Sequence, residues 1–268
     1  MRTTIYNQHL QNNTFSTLFV GQNLIKLSKV DSTNTYLKGM VSKSEPLAEG
    51  TVIMAEDQYA GRGQQDMTWI AEPKKNLTFS LLLKPTFLQI NEQFVLNMLV
   101  CIAIKDALQK YTNHHVQVKW PNDIYLDHKK LGGILIENLL AGTVYKSAIV
   151  GIGLNINQQH FPSELAGKAT SLYQILQADV NLVQLLAEIC SHIESGYLKL
   201  KAGQYQDLKQ TYMGSLLNYN QNAWYKHGDQ VFEARITGIT GAGQLILSTG
   251  NTEQIYNFKE VQYINNQQ

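Results

Sequence analysis

Four short stretches of the chain carry residues able to do chemistry. GRGQQDMTW, residues 61 to 69, holds Arg62 between Gly61 and Gly63 and ends on Trp69. It repeats with neither a helical nor a strand period, so it reads as a loop. Such a loop is either a surface turn or a segment that closes over an anion and a flat ring. In KWPNDIYL, residues 119 to 126, Pro121 removes a ladder donor and should break a strand-like run. The break exposes Lys119, Asn122 and Asp123 beside Trp120. An amide both donates and accepts and so can read a base edge, while a lysine beside a carboxylate can hold phosphate and a metal. The same residues also suit a plain hairpin turn. KKLGGILIE puts Lys130 just before a diglycine that opens an apolar strand, where a ligand can approach backbone closely. An edge lysine that discourages aggregation has the same pattern. VDSTNTYL offers Ser32, Thr33 and Asn34, a helix N-cap whose free N–H groups are compatible with a polar ligand.

Other chemistries lack their residues. No Gly-Lys-Ser/Thr occurs, so there is no P-loop, and GRGQQD, VGIGLNIN and GAGQL each lack the third glycine of a dinucleotide fingerprint. Each of these is a tight turn or a phosphate cradle on sequence alone. The seven histidines have no zinc spacing, and no Gly-x-Ser-x-Gly elbow is found.

These stretches need a scaffold. The runs LIKLSKV, TVIMAE, LTFSLLL, VQVKW, KLGGILIENLL and YKSAIVGIGLNI read as strands of one substantial sheet. Val95, Met98, Leu99, Ile102 and Ala103 give a helix with one buried face, and Asn91 is its expected N-cap. Leu182, Leu185, Leu186, Ile189 and Ile193 form a second stripe, capped by Asn181 and ended by Gly203. After about residue 216 the pattern becomes short alternating strands with glycine turns, a small barrel-like β module. Strands and helices do not alternate strictly before it, so the main part is expected to be α+β.

Composition narrows the partners. With 44% hydrophobic and 16% charged residues the 268-residue chain is globular. Its formal charge of +1 gives no support for nonspecific nucleic-acid binding. The two cysteines, Cys101 and Cys190, fall on apolar helix faces and suit buried free thiols in the cytoplasm. The opening MRTTIYNQHLQNN has no signal-peptide core, and no apolar run reaches the roughly 20 residues of a membrane span.

The order of the motifs is more specific than any one of them. DSTN, AEDQYAGRGQQDMTW, NLTFSLLL, KWPNDIYL, KLGGILIE, VGIGLNIN and the β-rich tail together resemble biotin protein ligases over about residues 24 to 268. The resemblance implies a mixed sheet with packed helices, class II synthetase-like, in a catalytic domain at 1–216, and an SH3-like β-barrel at 217–268. It implies an enzyme that joins biotin to ATP with Mg²⁺, giving biotinyl-adenylate and pyrophosphate. Biotin then passes to a lysine of a carboxylase's biotin carboxyl carrier domain. By that resemblance Ser32, Thr33, Asn34 and Gln58 lie at the biotin ring, and Gly61, Arg62, Gly63 and Gln64 hold its carboxylate and the α-phosphate. Lys130 sits at the reacting centre with Gly133 nearby. Trp69 packs on adenine, Asn122 and Asn155 place the nucleotide, and Lys119 and Asp123 face the phosphates, Mg²⁺ or the incoming lysine. The family's loop commonly carries a second arginine and further glycine and arginine, where this chain has Gln64, Asp66 and Met67. Relatives that repress transcription have a DNA-binding domain ahead of DSTN, whereas about 30 residues precede it here. The expectation is therefore an enzyme without DNA or membrane partners, acting as a monomer or homodimer.

Overall fold

The computed structural model describes residues 5–6, 14–42, 46–64, 67–142 and 144–264. Most of the opening segment and Asp66 lie outside them. Along the chain come β1 (Ile5–Tyr6), β2 (Leu24–Leu27), α1 (Thr33–Val41) and β3 (Val52–Ala55). A small hairpin follows, β4 (Gly61–Arg62) with β5 (Thr68–Trp69), then β6 (Leu77–Leu83) and the long helix α2 (Gln93–Gln109). Strands β7 (Val116–Lys119), β8 (Asp123–Leu126), β9 (Lys129–Ala141) and β10 (Val144–Leu154) come next. Helices α3 (Leu172–Leu176), α4 (Leu182–Lys201) and α5 (Leu208–Gly214) precede the last five strands. These are β11 (Asn222–His227), β12 (Gln230–Ile239), β13 (Leu245–Thr249), β14 (Thr252–Tyr256) and β15 (Gln262–Ile264).

The main sheet has the order β1-β2-β3-β6-β10-β9-β8-β7. It is mixed: β2 and β3 run parallel and the other neighbours antiparallel. Its centre is buried on both faces, which is why LTFSLLL is apolar without alternation. Along β6, Leu81 and Leu83 join the larger core while Leu82 joins a smaller one with Leu27, Leu37, Ile53 and Ile149 beneath α1. Each fully buried aliphatic side chain contributes roughly 1.5–3 kcal/mol. The remaining strands form a five-stranded antiparallel sheet, β14-β13-β12-β11-β15.

Asn181 caps α4 as expected, accepting from the N–H groups of Val183 and Gln184 at 3.0 and 3.1 Å. Gly203 follows the helix at φ +72°, the left-handed geometry in which glycine carries no Cβ penalty. The expected cap of α2 is corrected. Ile90–Glu92 form a short 3₁₀ turn, in which Glu92 accepts from the Gln89 N–H at 3.0 Å, and α2 begins only at Gln93. This helix is also buried on more than one face, since Phe94, Leu96, Val100 and Cys101 are enclosed along with the expected stripe residues Met98, Leu99 and Ala103. It lies between the sheet, α4 and α5, so a one-sided stripe understates it. Both cysteines are buried free thiols whose pKa burial pushes up. Glu194 of α4 is buried and accepts the N–H groups of Leu18, Phe19 and Val20 at 2.7, 2.8 and 2.9 Å, fixing the approach to β2. Among the described residues no helix is long and apolar enough to cross a membrane.

Candidate active site

The four stretches meet at one cavity of about 510 Å³. Its deep end is polar. Ser32 caps α1, accepting from the Thr35 N–H at 3.4 Å, and Ser32, Thr33 and Asn34 are all buried. Gln58 Oε1 accepts the Thr33 N–H at 2.8 Å. Ser80 of β6 gives its proton to Asn34 Oδ1 at 2.6 Å and lies 2.7 Å from Thr33 Oγ1. Asn34 Nδ2 in turn donates to Glu137 Oε2 at 2.8 Å. The same oxygen receives Arg62 Nη2 at 2.7 Å, while Lys38 Nζ lies 3.6 Å from Oε1. One chain of hydrogen bonds thus runs from Gln58 to the loop arginine.

The two ends of the stretch 61–69 pair as short strands: Gly61 with Trp69 and Arg62 with Thr68. Gly63 N–H closes the turn onto the Met67 carbonyl at 2.6 Å. Gly61 leaves no room for a Cβ against the Trp69 carbonyl and the Gln58 amide. Two glycines of VGIGLNIN have a purpose the sequence left open. They lie in the strand β10, not in a turn. A Cβ on Gly153 would stand 2.5 Å from Trp69 Cε2, and one on Gly151 would collide with the Asn34 amide. Removing side chains from β10 thus lets the indole and the amide lie directly on backbone. Trp69 Nε1 is buried there, without a partner among the described residues.

The opposite wall is cationic. Lys119 ends β7 and Asp123 opens β8, facing each other across the Pro121 turn. Asp123 Oδ1 takes Lys130 Nζ at 2.7 Å, and Gly133 sits beneath both, its would-be Cβ 3.1 Å from that oxygen. Burial lowers the pKa of Lys119 and nearby Lys130 lowers it too, while Asp123 opposes them. Asn122 is buried, its Nδ2 donating to the Ile134 carbonyl, whose residue's N–H returns to Asn122 O at 3.1 Å. Of the residues expected at the site, all but Gly61 and Asn155 line the cavity. Asn155 lies behind β9, with its N–H on the Leu131 carbonyl at 2.8 Å and Nδ2 on the Thr170 carbonyl at 3.2 Å.

Several contributors lie outside the residues expected at the site. Thr78 and Ser80 are signalled by hydroxyls in a mostly apolar run, and Glu137 by a carboxylate ending the apolar run of KLGGILIE. Lys259, Val261, Gln262 and Tyr263 also line the cavity from the small C-terminal sheet. Nothing in their local sequence marks them, because their place depends on how the two sheets dock.

A model of the Biotin/lipoate A/B protein ligase family matches residues 27–155. The chain is 30% identical over 233 residues to the bifunctional ligase/repressor BirA of Bacillus spizizenii, covering 86% of this chain and 70% of that one. The chain belongs to the biotin protein ligase family. Biotin–protein ligase 2 of Arabidopsis thaliana is 28% identical over 266 residues, covering 94% and 77% of the two chains. The biotin protein ligase of Aquifex aeolicus, solved in complex with biotin and ATP, superposes with a TM-score of 0.76 at 27% identity. That match covers 91% of this chain and all of the other, so the family's fold extends through both sheets. The expected α+β mixed sheet with a small β module beside it agrees with this likeness.

Proposed function

We propose that this chain joins the carboxylate of biotin to the α-phosphorus of ATP and then hands biotin to a lysine of a carboxylase's biotin carrier domain. The supporting observation is the convergence of Arg62, Lys119 and Lys130 on one cavity whose far end is the Ser32–Asn34 polar network. A carboxylate attacking a phosphate brings two anions together, so preorganised positive charge must stand where negative charge accumulates. Arg62 offers paired donors to a planar oxyanion and Lys130 a mobile point charge. Buried Thr33 and Asn34 and half-buried Gln58 suit a ring that both donates and accepts hydrogen bonds. The disulfide ring of lipoate offers no such groups, and this favours biotin among the acids the family handles.

Magnesium fits as a partner of the nucleotide rather than of a protein cage. Among the described residues no three of His, Cys, Asp and Glu group to hold a metal, and Asp123 is the one carboxylate lining the cavity. When bound on the phosphates the ion supplies neutralisation of the leaving pyrophosphate. Asp123 holds Lys130 in place, and its carboxylate is available to take a proton from the carrier's lysine. We place the division between the catalytic part, 1–216, and the small β part, 217–268, in the connection between α5 and β11. The buried free thiols suit work in the cytoplasm.

The test is direct. Incubated with biotin, ATP, Mg²⁺ and a biotin carrier domain, the protein adds one biotin mass to the carrier, and pyrophosphate exchange follows biotin rather than lipoate. Exchange driven by lipoate alone would overturn the choice of acid. A second measurement addresses Trp69. Gly153→Ala pushes Trp69 off its seat, at about 1–3 kcal/mol for an overpacked contact. ATP affinity by calorimetry is expected to fall about tenfold while biotin affinity holds, and an unchanged ATP affinity would remove Trp69 from the nucleotide.

A further inference from the structure

Lys119 is held in an unusual way. Its neighbour Asp123 is occupied by Lys130 at 2.7 Å. The Lys119 ammonium instead lies 5.2 Å from the Tyr125 ring centroid and 5.0 Å from that of Tyr263, with Nζ donating to Tyr125 Oη at 3.2 Å. Tyr125 belongs to the same hairpin as Lys119. Tyr263 does not: it comes from β15, more than 140 residues later, and reaches the cavity because the two sheets dock. Trp120 Nε1 donates to the Gly243 carbonyl at 2.9 Å, and the Phe258 ring lies 5.3 Å from Trp120 and 6.0 Å from Phe94. The Tyr263 hydroxyl is enclosed against the Trp120 backbone.

We propose that Tyr263, carried by the C-terminal sheet, is a positioning residue for Lys119, its ring and the Tyr125 hydroxyl bracketing the ammonium at the cavity wall. The physical basis is the attraction of a cation to the negative face of an aromatic ring, which strengthens as water is excluded. The groups facing Lys119 are Asp123 and Tyr125 from β8, Lys130 from β9 and Tyr263 from β15. Burial holds both phenols above their ordinary pKa, so they remain neutral rings. The inference rests on the reading of Lys119 as a phosphate ligand, and it makes the small sheet part of the catalytic centre.

The test uses the full chain and two readouts. The first is the titration of the Lys119 side chain by NMR with ¹³C-labelled lysine, its signal assigned by loss in Lys119→Met. The second is the single-turnover rate of adenylate formation. Tyr263→Leu fills much of the volume without a π face, so Lys119 loses its proton at a lower pH than in the parent. Adenylation slows about tenfold, with biotin affinity unchanged. Tyr263→Phe restores both. In the Lys119→Met background Tyr263→Leu costs less than a further twofold, as for two residues acting through one contact. Pentafluorophenylalanine at 263 keeps the shape and reverses the ring quadrupole, so it behaves as leucine does even if leucine loosens the module. A Lys119 titration indifferent to leucine and pentafluorophenylalanine, or losses that multiply in the cycle, would overturn the proposal. A parent protein that makes no adenylate would instead defeat the functional reading, and the titration still decides Tyr263.

Discussion

Lys130→Ala slows adenylate formation at least a hundredfold in a single turnover. Removing one preorganised donor from a site of developing charge costs about 3 kcal/mol in the barrier. Here the loss has a second part. Lys130 Nζ sits 2.7 Å from Asp123 Oδ1, so alanine leaves that carboxylate unpaired against incoming phosphates. The double change Lys130→Ala with Asp123→Asn is therefore faster than Lys130→Ala alone. The lysine backbone is fixed from behind, its N–H on the Lys168 carbonyl and its own carbonyl on the Thr170 N–H, both at 2.9 Å. Truncation thus removes charge without releasing the strand. Rapid-quench detection of adenylate gives both rates. A Lys130→Ala protein within a few-fold of the parent would take Lys130 out of the chemistry.

Arg62→Ala is expected to weaken retention of the acyl-adenylate by roughly 2–3 kcal/mol, the scale of a hydrogen bond to a charged group. Release into solution becomes faster while the first step continues on Lys130. Arg62→Lys does not restore it, because a point charge cannot reproduce a planar fork of donors. The effect is sharper here than in a loop with several arginines, since Gln64 and Met67 offer no second guanidinium. Gln64→Arg acts in the opposite direction and slows release. Trapping free adenylate with hydroxylamine measures all three variants. Equal release from parent and Arg62→Ala would separate Arg62 from the product.

Much of this architecture is legible in the chain because its signals are local. The six apolar runs become β2, β3, β6, β7, β9 and β10, buried throughout in β6 at the centre of the sheet and alternating in the edge strand β7. Asn181 and Gly203 mark the ends of α4 by the preferences of single backbone positions. Asn91 misled because Glu92, one residue on, completes a 3₁₀ turn before the helix begins. The glycines of β10 look like turn residues until Trp69 and Asn34 are laid across them. Lys259, whose Nζ donates to the Gln64 carbonyl at 3.3 Å, and Tyr263 were beyond reach. A contact between segments nearly two hundred residues apart leaves no trace in either one's pattern. Family order, rather than local pattern, joined the four chemical stretches in advance.

Glu137 has a consequence for how two substrates sense one another. A single carboxylate oxygen serves both the Asn34 amide and the Arg62 guanidinium. An anion that draws the guanidinium away leaves that oxygen wholly to the amide, tightening the recess where a ring would rest. By reciprocity, a ring that stiffens the amide eases the guanidinium's departure toward the anion. Two occupants can therefore favour each other's arrival across the hollow while only side chains turn.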